Sequence, residues 1–400
     1  MASKYYFEIA FILILIFMCT NGDDKVFNVL DYGANTDGET DNSKAFLSAW
    51  MDACQWDGQA KLLIPLGEYM LYATNFSGPC KGSSNLNFQI QGNIKAPIDP
   101  KLFCNKSFWI SFQNVNSLEI EGDGILDGQG AYAWNNSQCN IRPSTLALDF
   151  IENAIVRDIH SINSKGFQID VFRSNNLTFS HVNITAPGDS PNTDGIHIGF
   201  STNINIFDSV IGTGDDCISM IAGSQHINIS GVTCGPGHGI SIGSLGKLPN
   251  EEVVKDIRVR NCTLTATQNG VRIKTRAPSD SGSATTISFE DIIMNDVRNP
   301  IFIDQHYCTS RPCEAINEES SVQIKDVTFN NIQGTSSSIV AITLNCSATY
   351  PCKEIKFNDI NLVYNGLDGH EISSCDNAEG TATGKEVPPS CLKSTSDSSA

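Results

Sequence analysis

Four short clusters between Asn192 and Lys274 bring together residue types that do acid–base chemistry. They are Asn192-Thr193-Asp194-Gly195, Gly214-Asp215-Asp216-Cys217, Gly237-His238-Gly239 and Arg272-Ile273-Lys274. Each opens or lies on a short β-type run: Gly195 to Ile198, Cys217 to Met220, Gly239 to Ile242 and Val271 to Lys274. The clusters recur at roughly 20 to 35 residues, the period of a stacked repeat. In-register stacking would converge three carboxylates, one imidazole and two cations on one patch. Crowded carboxylates raise the pKa of at least one of them, which then stays protonated as a general acid. A second carboxylate serves as base for water or as a nucleophile, the pairing that glycosidic bond cleavage requires. Arg272 and Lys274 are two apart and share a strand face. A planar fork beside a point charge suits a carboxylate ligand. The predicted chemistry is therefore hydrolysis of an acidic sugar polymer.

Taken singly, Asn-Thr-Asp-Gly and Gly-Asp-Asp read as ordinary turns, Arg272 and Lys274 as a solvated face, and His238 as structural. Their joint recurrence in successive repeats outweighs those readings. His160, His181, His197, His226, His306 and His370 lack such company and are assigned structural roles. The aspartate spacing matches no EF-hand and no CxxC pair exists. Neither a metal nor a cofactor is expected.

The elements that position these clusters repeat a template, apolar-x-apolar-x-x-apolar-x-apolar. It occurs as Leu177, Phe179, Val182 and Ile184, then from Ile227, Ile257, Ile287, Val322 and Ile355. Alternation within each half predicts strands with one buried face, and the slip between halves predicts a corner. A second strand follows in each turn, such as Phe167-Gln168-Ile169 or Ile301-Phe302-Ile303. No helical pattern separates the repeats, so the predicted fold is all-β, a single right-handed parallel β-helix. Residues Asp41 to Cys54 predict a helix with one apolar face, capped by Thr40 or Asp41, that closes the N-terminal end.

The chain has 400 residues and a formal net charge of −18. That balance opposes nucleic acid and anionic membranes as partners, and a polyanionic substrate would need local cations. Met1 to Gly22 reads as a secretory signal peptide: Lys4 precedes an apolar run from Ile9 to Met18 that is too short to span a bilayer. Fourteen cysteines suit an oxidising compartment. Proposed pairs are Cys54/Cys80, Cys217/Cys234, Cys308/Cys313, Cys346/Cys352 and Cys375/Cys391. Cys19 leaves with the signal peptide; of the thirteen that remain, Cys104, Cys139 and Cys262 are left over, so at least one thiol is free. Eight Asn-x-Ser/Thr sequons, at Asn75, Asn105, Asn135, Asn176, Asn183, Asn228, Asn261 and Asn345, fit a glycoprotein. Residues 23–392 form the expected β-helix domain, with cap and first turns over 23–115, and 393–400 form a polar tail read as disordered.

The extended motifs Ser190-Pro191-Asn192-Thr193-Asp194-Gly195-Ile196, Gly214-Asp215-Asp216-Cys217-Ile218-Ser219, Cys234-Gly235-Pro236-Gly237-His238-Gly239-Ile240 and Arg272-Ile273-Lys274-Thr275 resemble those of plant polygalacturonases, family 28 glycoside hydrolases. The resemblance runs from Phe27-Asn28-Val29 to the C-terminal cysteines. It implies a pectin-lyase-like solenoid, inverting hydrolysis of α-1,4-galacturonan (demethylated pectin), a secreted cell-wall location and action as a monomer. By position it implies Asp215 as general acid, Asp194 and Asp216 holding and activating water, and His238 supporting the acid. Asn192, Arg272, Lys274 and Tyr307 would bind substrate. Arg276 stands where similar sequences often carry Trp, and Met220-Ile221 replaces a more usual Ile-Gly. Gly78-Pro79-Cys80-Lys81-Gly82 and Asp127-Gly128-Gln129-Gly130, with a single Trp134, are more similar to pollen-type exo-acting members, which implies release of monogalacturonate from the non-reducing end. The alternative is endo cleavage. A calcium-dependent eliminase and an inactive wall-binding protein are the rivals from other classes, and retention of all three carboxylates argues against the last.

Overall fold

A computed structural model describes residues 25–82, 86–135, 141–308 and 318–393. The signal segment, Cys139, Cys313 and most of the tail lie outside the described residues. The pairings between the named strands are parallel. In one sheet, eleven strands stack in simple sequence order from Thr74–Ser77 to Ile372–Asp376. The other sheet carries two faces joined at a corner. In the central turns each face has its own strand, as in Asn175–Ser180 and Asn183–Thr185. In the C-terminal turns the two fuse into single bent strands, Val254–Thr265, Gly282–Val297 and Val322–Ser336. The chain is a right-handed parallel β-helix, as its sequence predicts. No described helix is long and apolar enough to cross a membrane.

The predicted corner has a specific backbone cause. Asp158, His181, Asp208, Asn261, Asp291, Asn331 and Asp359 all adopt φ between 45° and 55°, one per turn, between the two buried halves of each turn. In one turn those halves are Val327/Phe329 and Ile332/Gly334, later than the template read from Val322, because Val327 and Phe329 pair with Ile287 and Phe289. Gly231 takes the same place with φ 70°. This left-handed region costs L-residues energy, and short polar side chains or glycine tolerate it best. The apolar template residues point inward. Leu177, Phe179, Val182 and Ile184 are buried, and their counterparts one turn on stack over them. Phe289, Phe329 and Phe357 sit in register, with centroids 5.3 and 5.5 Å apart.

The predicted helix forms over Ser43–Gln55. Asn42, rather than Thr40 or Asp41, is its N-cap residue, while the Asp41 carboxylate accepts from the Ser43 amide at 3.0 Å. Phe46, Trp50 and Ala53 are buried against the first turns, and the Trp50 indole donates to the Ser77 carbonyl at 3.0 Å. The stack begins at Lys25–Asn28, which already pairs with Ala60–Ile64. The regular template is recognisable only from Leu118 because the early turns carry the helix and irregular connections.

Disulfides join Cys54 to Cys80, Cys217 to Cys234, Cys346 to Cys352 and Cys375 to Cys391, as proposed from spacing. Cys104 and Cys308 are also disulfide-bonded. Cys262 is free and buried.

Candidate active site

The first three clusters fall at the starts of consecutive strands in the eleven-stranded sheet, and the fourth lies within the next strand. Ile196–Gly199, Ile218–Met220, Ile240–Leu245 and Asn269–Arg276 lie side by side in register. Asp194, Asp215 and Asp216 precede the first two strands, so adjacent turns bring them together. The loops are braced. Thr193 Oγ1 accepts from the Gly214 amide one turn later at 3.1 Å. Gly214 has no left-handed backbone; it is required because a Cβ there would lie 2.1 Å from the Ser190 carbonyl oxygen. Gly214 thus serves a close approach between turns. The Cys217–Cys234 disulfide anchors the residue after Asp216 to the next turn.

Asp215 is gripped by His238. The His238 amide donates to the Asp215 carbonyl at 2.7 Å, and His238 Nδ1 lies 3.0 Å from Asp215 Oδ1. Asp216 is held differently. Arg272 Nη2 donates to its Oδ1 at 2.6 Å, Ser241 Oγ to the same oxygen at 2.8 Å, and Lys274 Nζ to its Oδ2 at 2.9 Å. Burial pushes the Asp216 carboxyl up, but Arg272 and Lys274 outweigh it and hold it below the usual range. Asp194 goes the other way. Burial first, and then the Asp215 and Asp216 charges, push it up against the opposing pull of His197.

A file of polar residues runs across these strands: His197, Ser219, Ser241 and Arg272 pair in register. Ser219 Oγ donates to Asp194 Oδ2 at 2.7 Å and lies 2.7 Å from His197 Nδ1. His197 stacks on Phe167 with centroids 4.3 Å apart. Burial alone would lower the His197 pKa, but Asp194, Asp170 and Asp216 raise it. Asp194, Asp170 and His197 therefore all retain protons more strongly than isolated groups do. Sequence reasoning left His197 structural and passed over Ser219 and Ser241. The available signal was their shared place in the repeat, in Gly-Ile-His-Ile, Cys-Ile-Ser-Met and Gly-Ile-Ser-Ile.

A cleft of about 550 Å³ lies over this patch. Asn192, Asp194, Asp215, Asp216, Lys274 and Tyr307 line it, as do His197 and Ser219. Lys274 Nζ sits 5.2 Å from the Tyr307 ring centroid. Two expected site residues stand elsewhere. Arg272 is buried behind Asp216, with Nε donating to Ser241 Oγ at 3.0 Å. His238 faces an adjoining recess and reaches the cleft through Asp215. Asp215, Asp216 and His238 offer ligand atoms within 4.8 Å of one another. Both Asp216 oxygens already bind cations, so this trio is a poor fit for a divalent ion, which would meet two positive charges.

Residues 54–388 match the model of glycosyl hydrolases family 28. The chain belongs to this family. Family 28 relatives cover nearly its whole length. It is 46% identical over 370 residues to an exopolygalacturonase of Platanus acerifolia, covering 91% of this chain and 97% of that protein. It is 44% identical over 389 residues to a polygalacturonase of Gossypium hirsutum, covering 95% and 94%. Among solved structures, an exopolygalacturonase from Thermotoga maritima superposes with a TM-score of 0.76 at 20% identity, covering 90% of this chain and 91% of the other. At that identity the superposition speaks for the fold alone. The family is one of glycosidases, and three carboxylates meet in this chain's cleft.

Proposed function

We propose that this chain is a secreted, exo-acting polygalacturonase that hydrolyses α-1,4-linked galacturonan with inversion. The observation that carries this reading is the division of labour among three carboxylates in one cleft: one held by an imidazole, one raised and one held ionised by two cations.

Asp215 is the general acid. It faces the cleft, and His238 fixes its orientation by side chain and backbone, so its proton is aimed at the leaving oxygen. Asp194 and Asp216 hold and activate water. Asp194 takes the water's proton: in its ionised form, a carboxylate with a raised pKa is the stronger base. Asp216 keeps its negative charge and orients water beside the developing oxocarbenium ion. Lys274 and Tyr307 form the wall that meets a substrate carboxylate, and Asn192 lies on the rim of the same cleft. Arg272 supports this from behind by fixing Asp216 and, through it, Lys274. The exo assignment is supported by the relatives named exopolygalacturonases at 43–46% identity. The disulfides support export to an oxidising compartment such as the cell wall.

The experiment follows viscosity and reducing ends together on demethylated pectate. Monogalacturonate should accumulate while viscosity barely moves. A steep early fall in viscosity with oligomeric products would establish endo cleavage instead. An unsaturated product absorbing in the ultraviolet would replace hydrolysis with elimination.

A further inference from the structure

Lys247 and Arg276 line the cleft, yet neither side chain has an ion-pair partner among the described residues. The cleft's carboxylates are all engaged with other groups. Asp216 holds Arg272 and Lys274, Asp215 holds His238, and Asp194 accepts from Ser219. Glu251, on the same wall as Lys247, accepts from the Gly246 amide at 2.6 Å, the Lys247 amide at 2.6 Å and the Leu248 amide at 2.9 Å. The Arg276 Nε is buried and lacks a hydrogen-bond partner among the described residues. A guanidinium N–H withdrawn from water without an acceptor is costly, and an anionic ligand would supply what it lacks.

The two cations are neighbours by construction. Leu245 pairs with Thr275 on the adjacent strand, so the loop that follows Leu245 runs beside Arg276. Glu251 ties that loop down, and the Asp280 amide donates to the Gly246 carbonyl at 3.3 Å. A Cβ on Gly246 would lie 2.3 Å from Ser279 Cβ, so the loop is packed tightly against the connection that follows Arg276. Lys247 is thus presented from a braced support. Arg276 in turn pairs in register with Tyr307.

We propose that Lys247 and Arg276 form a second carboxylate-binding subsite, beyond the Lys274–Tyr307 position, that selects a free uronate over its methyl ester at one sugar of the bound chain. The inference rests on the galacturonan reading above. A guanidinium fork and an ammonium complement a planar carboxylate and gain far less from a neutral ester. In a chain of net charge −18, a second cationic point also offsets the general repulsion of a polyanion.

The test uses the secreted full-length protein with Lys247→Met, Arg276→Gln, the double variant and Arg276→Lys. Substrates are tetragalacturonate and its methyl-esterified form. The double variant should show KM for tetragalacturonate raised roughly tenfold to a hundredfold, with the larger share of the loss in KM, and its preference for the free acid should shrink in parallel. Arg276→Lys should recover part of both. Calorimetric binding of tetragalacturonate to the same proteins gives a readout independent of turnover. Unchanged affinity and unchanged ester preference in the double variant would overturn the subsite. So would a loss confined to kcat, which would place these cations at the reaction centre. Absence of galacturonan hydrolysis by the wild type would defeat the functional reading instead, and the binding comparison would still decide the subsite.

Discussion

Lys274 Nζ lies 2.9 Å from Asp216 Oδ2 while standing 5.2 Å from the centre of the Tyr307 ring. One ammonium therefore serves the Asp216 carboxylate and the wall of the cleft together. Lys274→Ala should raise KM for galacturonan and also lower kcat, because Asp216 would lose one of two cations that hold it ionised. The Asp216 pKa would rise, so the acidic limb of the rate profile should move to higher pH. Steady-state kinetics across pH would show both effects. A variant with normal KM at every pH would remove Lys274 from substrate binding.

Asp215→Asn preserves shape and the contact with His238 but cannot deliver a proton. Turnover should fall by roughly 10²–10⁴-fold with little change in thermal stability. A substrate whose leaving group needs no protonation should recover much of the loss. If both substrates suffer equally, Asp215 is not the acid.

Inversion requires water between the base and the sugar. Proton NMR of the first product should show the β-anomer from an α-linked chain. An initial α-anomer would instead indicate a covalent intermediate and make one carboxylate a nucleophile.

Ser219 bridges His197 and Asp194 with two contacts of 2.7 Å. Without the imidazole, Asp194 would lose a neighbour that lowers its pKa and would rise further. His197→Gln should therefore move the acidic limb of kcat/KM upward, and Ser219→Ala should do so to a smaller extent. Identical pH profiles for wild type and His197→Gln would return His197 to a purely packing role.

The pH dependence of stability is set by carboxyls away from the chemistry. Burial, then the Asp170 charge, pushes Asp149 from its ordinary 3.8 to about 6. Burial, then Asp359, pushes Glu386 from 4.5 to about 7. The folded chain holds these protons where the unfolded chain has released them, so stability should rise as pH falls from about 7 toward 4.5. At lower pH the carboxyls with depressed values, Asp216 among them, reverse the trend. Thermal unfolding should give a higher Tm at pH 5 than at pH 7.5, and Asp149→Asn should flatten that difference. A Tm that climbs steadily with pH would contradict the assignment.

The sequence made the strands, the corners and the carboxylate clusters legible because each is a local pattern: alternation, a two-residue slip, an acidic pair behind glycine. What escaped it depends on registry between turns. His197 and Ser219 are 22 residues apart, whereas Ser241 and Arg272 are 31 apart, because the loop that carries Lys247 intervenes. Without the stacking register, the serines read as ordinary outward residues of a strand. For the same reason Arg272 and Lys274 read as equals. Both share a strand face, but only the structure puts Arg272 behind Asp216 and leaves Lys274 on the cleft wall.

Cys262 lies just after the left-handed corner residue Asn261, with its Sγ 3.2 Å from the Arg260 carbonyl. Burial pushes its thiol up to about 11. An un-ionised, enclosed sulfur is inert to alkylating reagents while the stack is closed. The molecule thus carries its own probe of breathing: the rate at which Cys262 becomes labelled measures how often the turns on either side part, midway along the solenoid and two turns beyond the one that carries Asp215 and Asp216.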